Sequence, residues 1–217
     1  MRICDREYRL VDLSLKLEPG KEKRRLEIRR FRYEYGEFMH DIDTMSHIGT
    51  HVECPSHYVD ARWSDRHGAD ISEVPLETFI GEAVFVDLSG KGPREAITPG
   101  DLEVAGIKKG DIVLMGNSHF TGEDRPYLSP EAAKWLAEKG VKMVGFDDSV
   151  SVEAPRVKTL KDMTTHENLL CNGIPIIEGL VNLKGLKKRR FIFIGLPVAI
   201  KGLDSFPIRA IALEPAE

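Results

Sequence analysis

What this sequence lacks narrows its class before any motif is read. None of its apolar runs approaches the ~20 residues of a membrane-spanning helix, so no span is expected. The opening MRICDREYRL carries charges at Arg2, Asp5, Arg6, Glu7 and Arg9 and lacks the apolar stretch of a secretory signal. Cysteine is scarce and odd in number: Cys4, Cys54 and Cys171 stand far apart with no CxxC. A disulfide framework is therefore not expected, and the reducing cytoplasm is the expected compartment. Neither GxGxxG nor GxxxxGK[ST] occurs, which removes the usual dinucleotide and P-loop readings. Charge of one sign is not in excess either. The 31 Lys and Arg stand against 35 Asp and Glu, a net charge of -4 that leaves no footprint for nucleic acid or an anionic membrane.

The chain has 217 residues, 41% of them apolar and 30% charged, which argues against disorder. A chain of this length buries roughly 70% of its unfolded surface, so it needs neither metal nor disulfide to fold. No repeat, low-complexity tract or linker interrupts it, and a single domain over residues 1–217 is expected. Leu10–Ser14 reads as a short strand, turned at Pro19-Gly20. The charged stretch from Lys21 to Phe38 alternates over Ile28–Tyr35 like an exposed or edge strand. Further strands are predicted at Ala83–Leu88, Asp111–Met115, Val141–Phe146 and Phe191–Leu196. Ser129-Pro130-Glu131 opens a helix that Gly140 stops, with an apolar stripe of Ala132, Ala133, Leu136 and Ala137 beside which Trp135 packs. A second helix is predicted from Pro99 to Ala105, capped by Thr98. Many strands and few helices indicate an α/β fold with a mixed sheet.

The segment richest in chemistry is HIGTHVECPSH, residues 47–57. His47, His51, Glu53 and His57 share odd parity, so in an extended chain all four project from one face while Ile48, Thr50, Val52, Cys54 and Tyr58 turn to the core. Gly49, Thr50, Val52 and Pro55 argue against a helix, so a strand or strand-like loop is predicted. Three imidazoles and a carboxylate in eleven residues suit a transition-metal site, since both are good ligands for Zn²⁺ and Mn²⁺. Gly49 and Pro55 are expected to leave room for an ion and its water on that face. A second cluster contains His166 and, after the apolar run Ile174–Ile177, Glu178, a carboxylate that is costly there unless paired or bound to metal. A covalent route through Cys54 is the chemical rival, but parity turns that thiol away from the histidines. His119 and Glu167 read as surface polars outside the primary set.

Taken together these segments resemble the cyclase-type metal-dependent hydrolase family, which includes bacterial kynurenine formamidases and isatin hydrolases. Its signature HxGTHxDxPxH is matched here by HIGTHVECPSH, and the resemblance continues through Asp12–Ser14, GDIVL at 110–114, SPEAAKWLAEKGVK, HENLL…IPIIEGLVNL and PVAIKGLDSFPIRAIALEP. The resemblance implies a swivelling β/β/α-type single domain around a mixed sheet, assembled as a homodimer or homotetramer. It implies His47, His51, Glu53, His166 and Glu178 as ligands of one or two divalent ions, Zn or Mn, with His57 as general acid/base. The implied substrate is a small amide, aryl formamide or lactam, cleaved at its C–N bond. Glu53 replaces the signature's aspartate with a carboxylate about 1.5 Å longer in reach. The family often has a threonine–glycine–tryptophan stretch where Gly116–His119 stand, and D-T-P-S-x-D where Asp147–Glu153 stand. A noncatalytic metal- or ligand-binding homologue of the same fold is the alternative reading.

Overall fold

The computed structural model describes every residue except Cys4, Ser64 and Glu217. In chain order the strands are β1 (Arg2–Ile3), β2 (Arg6–Asp12), β3 (Leu26–Arg32), β4 (Phe38–Thr44), β5 (His51–Glu53), β6 (Ile80–Asp87) and β7 (Ala96–Ile97). They continue with β8 (Ile112–Gly116), β9 (Tyr127–Leu128), β10 (Met143–Asp147), β11 (Ile176–Leu180), β12 (Arg190–Ile194), β13 (Ser205–Pro207) and β14 (Ile211–Pro215). The α-helices are α1 (Ser56–Arg62), α2 (Pro99–Glu103), α3 (Pro130–Lys139) and α4 (Thr164–Leu170). None among the described residues is long and apolar enough to cross a membrane.

One mixed sheet dominates, in the order β1-β2-β14-β12-β6-β8-β10-β11-β5-β13. Its centre, β6-β8-β10-β11, is parallel, and the flanks are antiparallel. The sheet curls. Beyond β2, Ser14 bridges Leu180 of β11, and the Val181 amide donates to the Leu13 carbonyl. The parallel strands are buried on both faces, as their continuous apolar runs require. Ala83, Ile112, Leu114, Met143 and Ile177 point into the curl with Val11, Leu13, Val52 and Phe193. Val84, Val113, Met115, Val144 and Ile176 face outward and pack under Leu102 of α2, Leu136 of α3 and Leu169 of α4. The α/β architecture with a mixed sheet and few helices is the one read from the sequence.

Each predicted core strand is present within a few residues of its expected bounds. Helix α3 is capped as expected: Ser129 Oγ accepts the Ala132 amide at 3.1 Å, and Gly140 closes it at φ 74°. Trp135 packs against the outer cluster. Helix α2 is shorter than predicted, ending at Glu103, with the Asp101 carboxylate folded back on the Thr98 amide at 2.7 Å. The charged stretch forms β3, which among the described residues pairs only with β4 as a hairpin, leaving Ile28, Phe38, Met39 and Ile42 exposed. Helices α1 and α4 were not predicted. Each spans seven residues, about two turns, too few for a clear 3.6-residue pattern.

Strand β11 and the turn before β5 meet at two glycines. Gly179 sits at φ +70°, and a Cβ there would fall 2.5 Å from the Gly49 carbonyl oxygen. The left-handed conformation alone costs an L-residue roughly 1–2 kcal/mol, and the clash is with backbone rather than a movable side chain. Gly179→Ala is expected to lower the unfolding free energy by at least that amount, read as a lower urea midpoint at unchanged m. An unchanged midpoint would show that the two segments separate freely.

Candidate metal centre

Strand β5 carries the middle of the site. It is only three residues long, yet it is paired on both sides: Glu178 of β11 lies opposite His51, and Ser205 of β13 lies opposite Glu53. Directly opposed residues have Cβ atoms about 4.5–5.5 Å apart, so this register sets the Glu178 carboxylate beside the His51 ring. Alternation along β5 turns His51 and Glu53 to one side and Val52 into the curl.

The other two histidines of the segment arrive differently from the expectation of one extended face. His47 precedes a turn at Gly49, whose φ is +61°, and His57 lies in the first turn of α1. Pro55 precedes that helix, where a missing N–H costs nothing. Gly49 also has another use than expected. A Cβ there would meet Leu17 Cδ2 at 2.6 Å, so glycine serves the turn and its packing rather than space for an ion. The expected core positions Ile48, Thr50, Val52, Cys54 and Tyr58 are all buried.

The result is a buried carboxylate ringed by imidazoles. Glu53 Oε1 lies 3.3 Å from His47 Nε2, 3.6 Å from His51 Nε2 and 3.8 Å from His57 Nε2. Its other oxygen, Oε2, lies 3.2 Å from His166 Nε2. Two overlapping sets bring their donor atoms within 4.8 Å of one another: His47, Glu53 and His57, and His51, Glu53 and Glu178. The six sequence-predicted residues thus converge. His119 and Glu167 have no place in these sets; His119 is exposed and Glu167 half-buried on α4.

The electrostatics follow from burial competing with close opposite charge. Burial raises the Glu53 carboxyl, but the His166 and His51 imidazoles outweigh it and hold Glu53 well below the usual carboxylate range. Burial works against the charged His166 ring, yet Glu153 and Glu53 push its pKa up to about 10. Burial chiefly pushes His47 down to about 4, which keeps that ring neutral at pH 7. Burial and the nearby Glu53 charge raise Glu178.

The donor set fits a cation on a separate ground. His51 Nδ1 lies 2.9 Å from the Gly49 carbonyl oxygen, which can only accept, so the proton belongs on Nδ1. Its Nε2 is buried without a hydrogen-bond partner and faces the carboxylates. A buried lone pair aimed at two carboxylates is costly unless a proton or a cation lies between them. Neutral imidazole and carboxylate oxygen form the donor set of Zn²⁺ and Mn²⁺.

Two carboxylates at the site were not singled out from the sequence. Asp204 accepts from His57 Nδ1 at 2.7 Å, and Glu153 accepts from His166 Nδ1 at 2.7 Å. Glu153 also receives the Thr165 and His166 amides, anchoring the start of α4. The hydrogen bond from His57 holds the Asp204 carboxyl below its ordinary value.

The Cyclase family model matches residues 11–154. A kynurenine formamidase of Maricaulis maris is 32% identical over 174 residues, covering 78% of this chain and 77% of its own. The chain belongs to the Cyclase family. Solved structures share the fold. Isatin hydrolase A from Labrenzia aggregata superposes with a TM-score of 0.78 at 23% identity, covering 96% of this chain and 94% of its own. A protein from Bacillus stearothermophilus described as a predicted metal-dependent hydrolase gives 0.74 at 24% identity, over 96% and 99%. Against the Cyclase signature read above, Glu53 is the one substituted position, and its two oxygens face different histidines.

Cys54 sits inside the curl among apolar side chains, on the opposite side of the strand from the imidazoles. Burial pushes its thiol up to about 12, so almost no thiolate exists at neutral pH. Iodoacetamide at pH 8 is expected to leave Cys54 unlabelled in the native protein and to label it after denaturation, as peptide mass spectrometry would show. Rapid native labelling with loss of turnover would revive a thiol nucleophile.

Proposed function

We propose that this Cyclase-family protein is a metal-dependent hydrolase that cleaves the non-peptide C–N bond of a small amide, aryl formamide or lactam. The observation that carries the reading is the buried Glu53 carboxylate with four imidazole nitrogens within 3.8 Å, beside the unpartnered His51 Nε2. Relatives named kynurenine formamidase, at up to 33% identity, support the same reaction class.

His47, His51, Glu53, His166 and Glu178 would hold one or two divalent ions, Zn²⁺ or Mn²⁺. Such an ion supplies Lewis acidity, polarising a carbonyl and lowering the pKa of a bound water from 15.7 towards ~7. The protein's own part is positioning and proton transfer. Asp204 accepts the Nδ1 proton of His57, which leaves Nε2 as the basic nitrogen facing Glu53. His57 is the more exposed of these rings, 25% against 6% for His51, and so stands where substrate arrives. There it takes a proton from the attacking water and returns it to the nitrogen of the departing amine, which cannot leave as an anion. Glu153 holds His166 by its outer nitrogen, the arrangement that orients metal-binding imidazoles. Glu53, whose two oxygens face different histidines, would serve one ion or two. A homodimer or homotetramer is proposed as the working assembly.

A panel of aryl formamides, isatin-like lactams and cyclic imides, assayed with Zn²⁺ and Mn²⁺ separately, tests the activity. No turnover at saturating metal would favour a binding protein of the same fold. Among variants, His51→Ala is expected to lose metal first, measured by metal analysis of the purified protein. His57→Ala is expected to keep most of its metal and lose ~10²–10⁴-fold in kcat. Loss of metal there would make His57 a ligand, as its place beside His47 and Glu53 would permit. Asp204→Asn is expected to keep metal and lower kcat, with KM little changed, because its shortest contact is with His57 at 2.7 Å and His47 lies farther off at 3.8 Å.

A further inference from the structure

A cavity lies beside the carboxylate and imidazole cluster rather than over it. It measures about 570 Å³ and is flanked by Arg94, Arg125 and Arg156. Arg125, Ser151 and Glu153 form a common wall between this cavity and a recess of about 230 Å³ that reaches His166 and Glu178. A ligand whose reacting group sits at the cluster therefore has room to extend past this wall, and 570 Å³ is within the ordinary range for small-molecule sites.

The charges along this path are unevenly committed. Arg94 is paired with Asp124 at 3.0 Å. Glu153 spends its oxygens on His166 and the Thr165 amide. Glu123 lies exposed on the rim. Arg125 is half-buried, and its guanidinium meets only carbonyls, Gly122 at 2.8 Å and Asp148 at 3.5 Å. Neither Arg125 nor Arg156 has a carboxylate partner among the described residues. The two carbonyls hold Arg125 in place while leaving its charge uncompensated, and its planar fork matches a carboxylate.

We propose that this cavity takes a carboxylate carried by the substrate away from the bond that breaks, with Arg125 as the principal contact and Arg156 beside it. The enzyme then selects anionic amides or formamides over neutral ones of the same shape. This rests on the hydrolase reading above, which it deepens by naming the substrate class.

The test separates binding from turnover. Binding of 2-aminobenzoate and of its neutral isostere 2-aminobenzamide is measured by titration calorimetry on metal-loaded protein. The expected result is that Arg125→Gln weakens 2-aminobenzoate about tenfold, the loss of one charge-assisted hydrogen bond, and changes 2-aminobenzamide less than twofold. Lys134→Gln, on the outer face of α3, removes the same charge and is expected to change neither. Equal effects of the two variants, or an Arg125→Gln protein that still prefers the anion, would overturn the proposal. Kinetics on the same samples compare 2-formamidobenzoate with formanilide, and Arg125→Gln is expected to raise KM for the first alone, leaving kcat in place. A wild-type protein that hydrolyses neither but still prefers 2-aminobenzoate through Arg125 would retire the hydrolase reading and leave the anion site standing.

Discussion

A carboxylate buried in a protein must be neutralised, paired or bound, because the desolvation penalty of a bare charge exceeds what any packing returns. Glu53 is buried at 3% exposure, and the structure around it is arranged to satisfy this demand. Four imidazoles come from a turn, a strand and two short helices, and each element ends where it must to deliver its ring. The outer nitrogens of three rings are held in turn by the Gly49 carbonyl, Asp204 and Glu153. The cluster is thus two layers deep, with the inner nitrogens turned toward the Glu53 carboxylate. The donor set at that point suits a divalent ion.

The proposed chemistry divides the work between the two sides of this cluster. The more buried side, with His51, His166 and Glu178, rests on the sheet and is reached by the recess along Arg125 and Glu153. The open side, with His57 and Asp204, is where protons can be exchanged with an arriving amide. Beyond His166 the cleft continues along Arg125 toward the cavity proposed to take the carboxylate. A ligand held at both ends would present its amide in one orientation, which is how binding far from the reacting atoms contributes to rate.

Much of this was legible in the sequence, and the remainder was hidden for identifiable reasons. HIGTHVECPSH declared itself by composition, and Glu178 by the apolar run that precedes it. The parity argument found the right residues by a geometry that holds only for His51 and Glu53. His47 and His57 reach the same place through a left-handed glycine and a helical turn, neither of which a two-residue period describes. Asp204 was out of reach because its partner lies 147 residues earlier, and only the pairing of β13 with β5 brings them together. Glu153 stands in an irregular segment with no periodicity to mark it. The core strands were easier, since an apolar run bounded by Gly, Asp or Pro carries its own signature.

The doubly paired three-residue strand has a consequence for the life of the chain before it is finished. His166 meets Glu53 across 113 residues, and the last carboxylate joins only when β13 docks near the carboxyl terminus. A polypeptide still emerging from the ribosome, or one shortened before Ser205, has β5 with an open edge. Such an edge invites pairing with a neighbouring chain. This topology leaves a window during synthesis in which aggregation competes with closure.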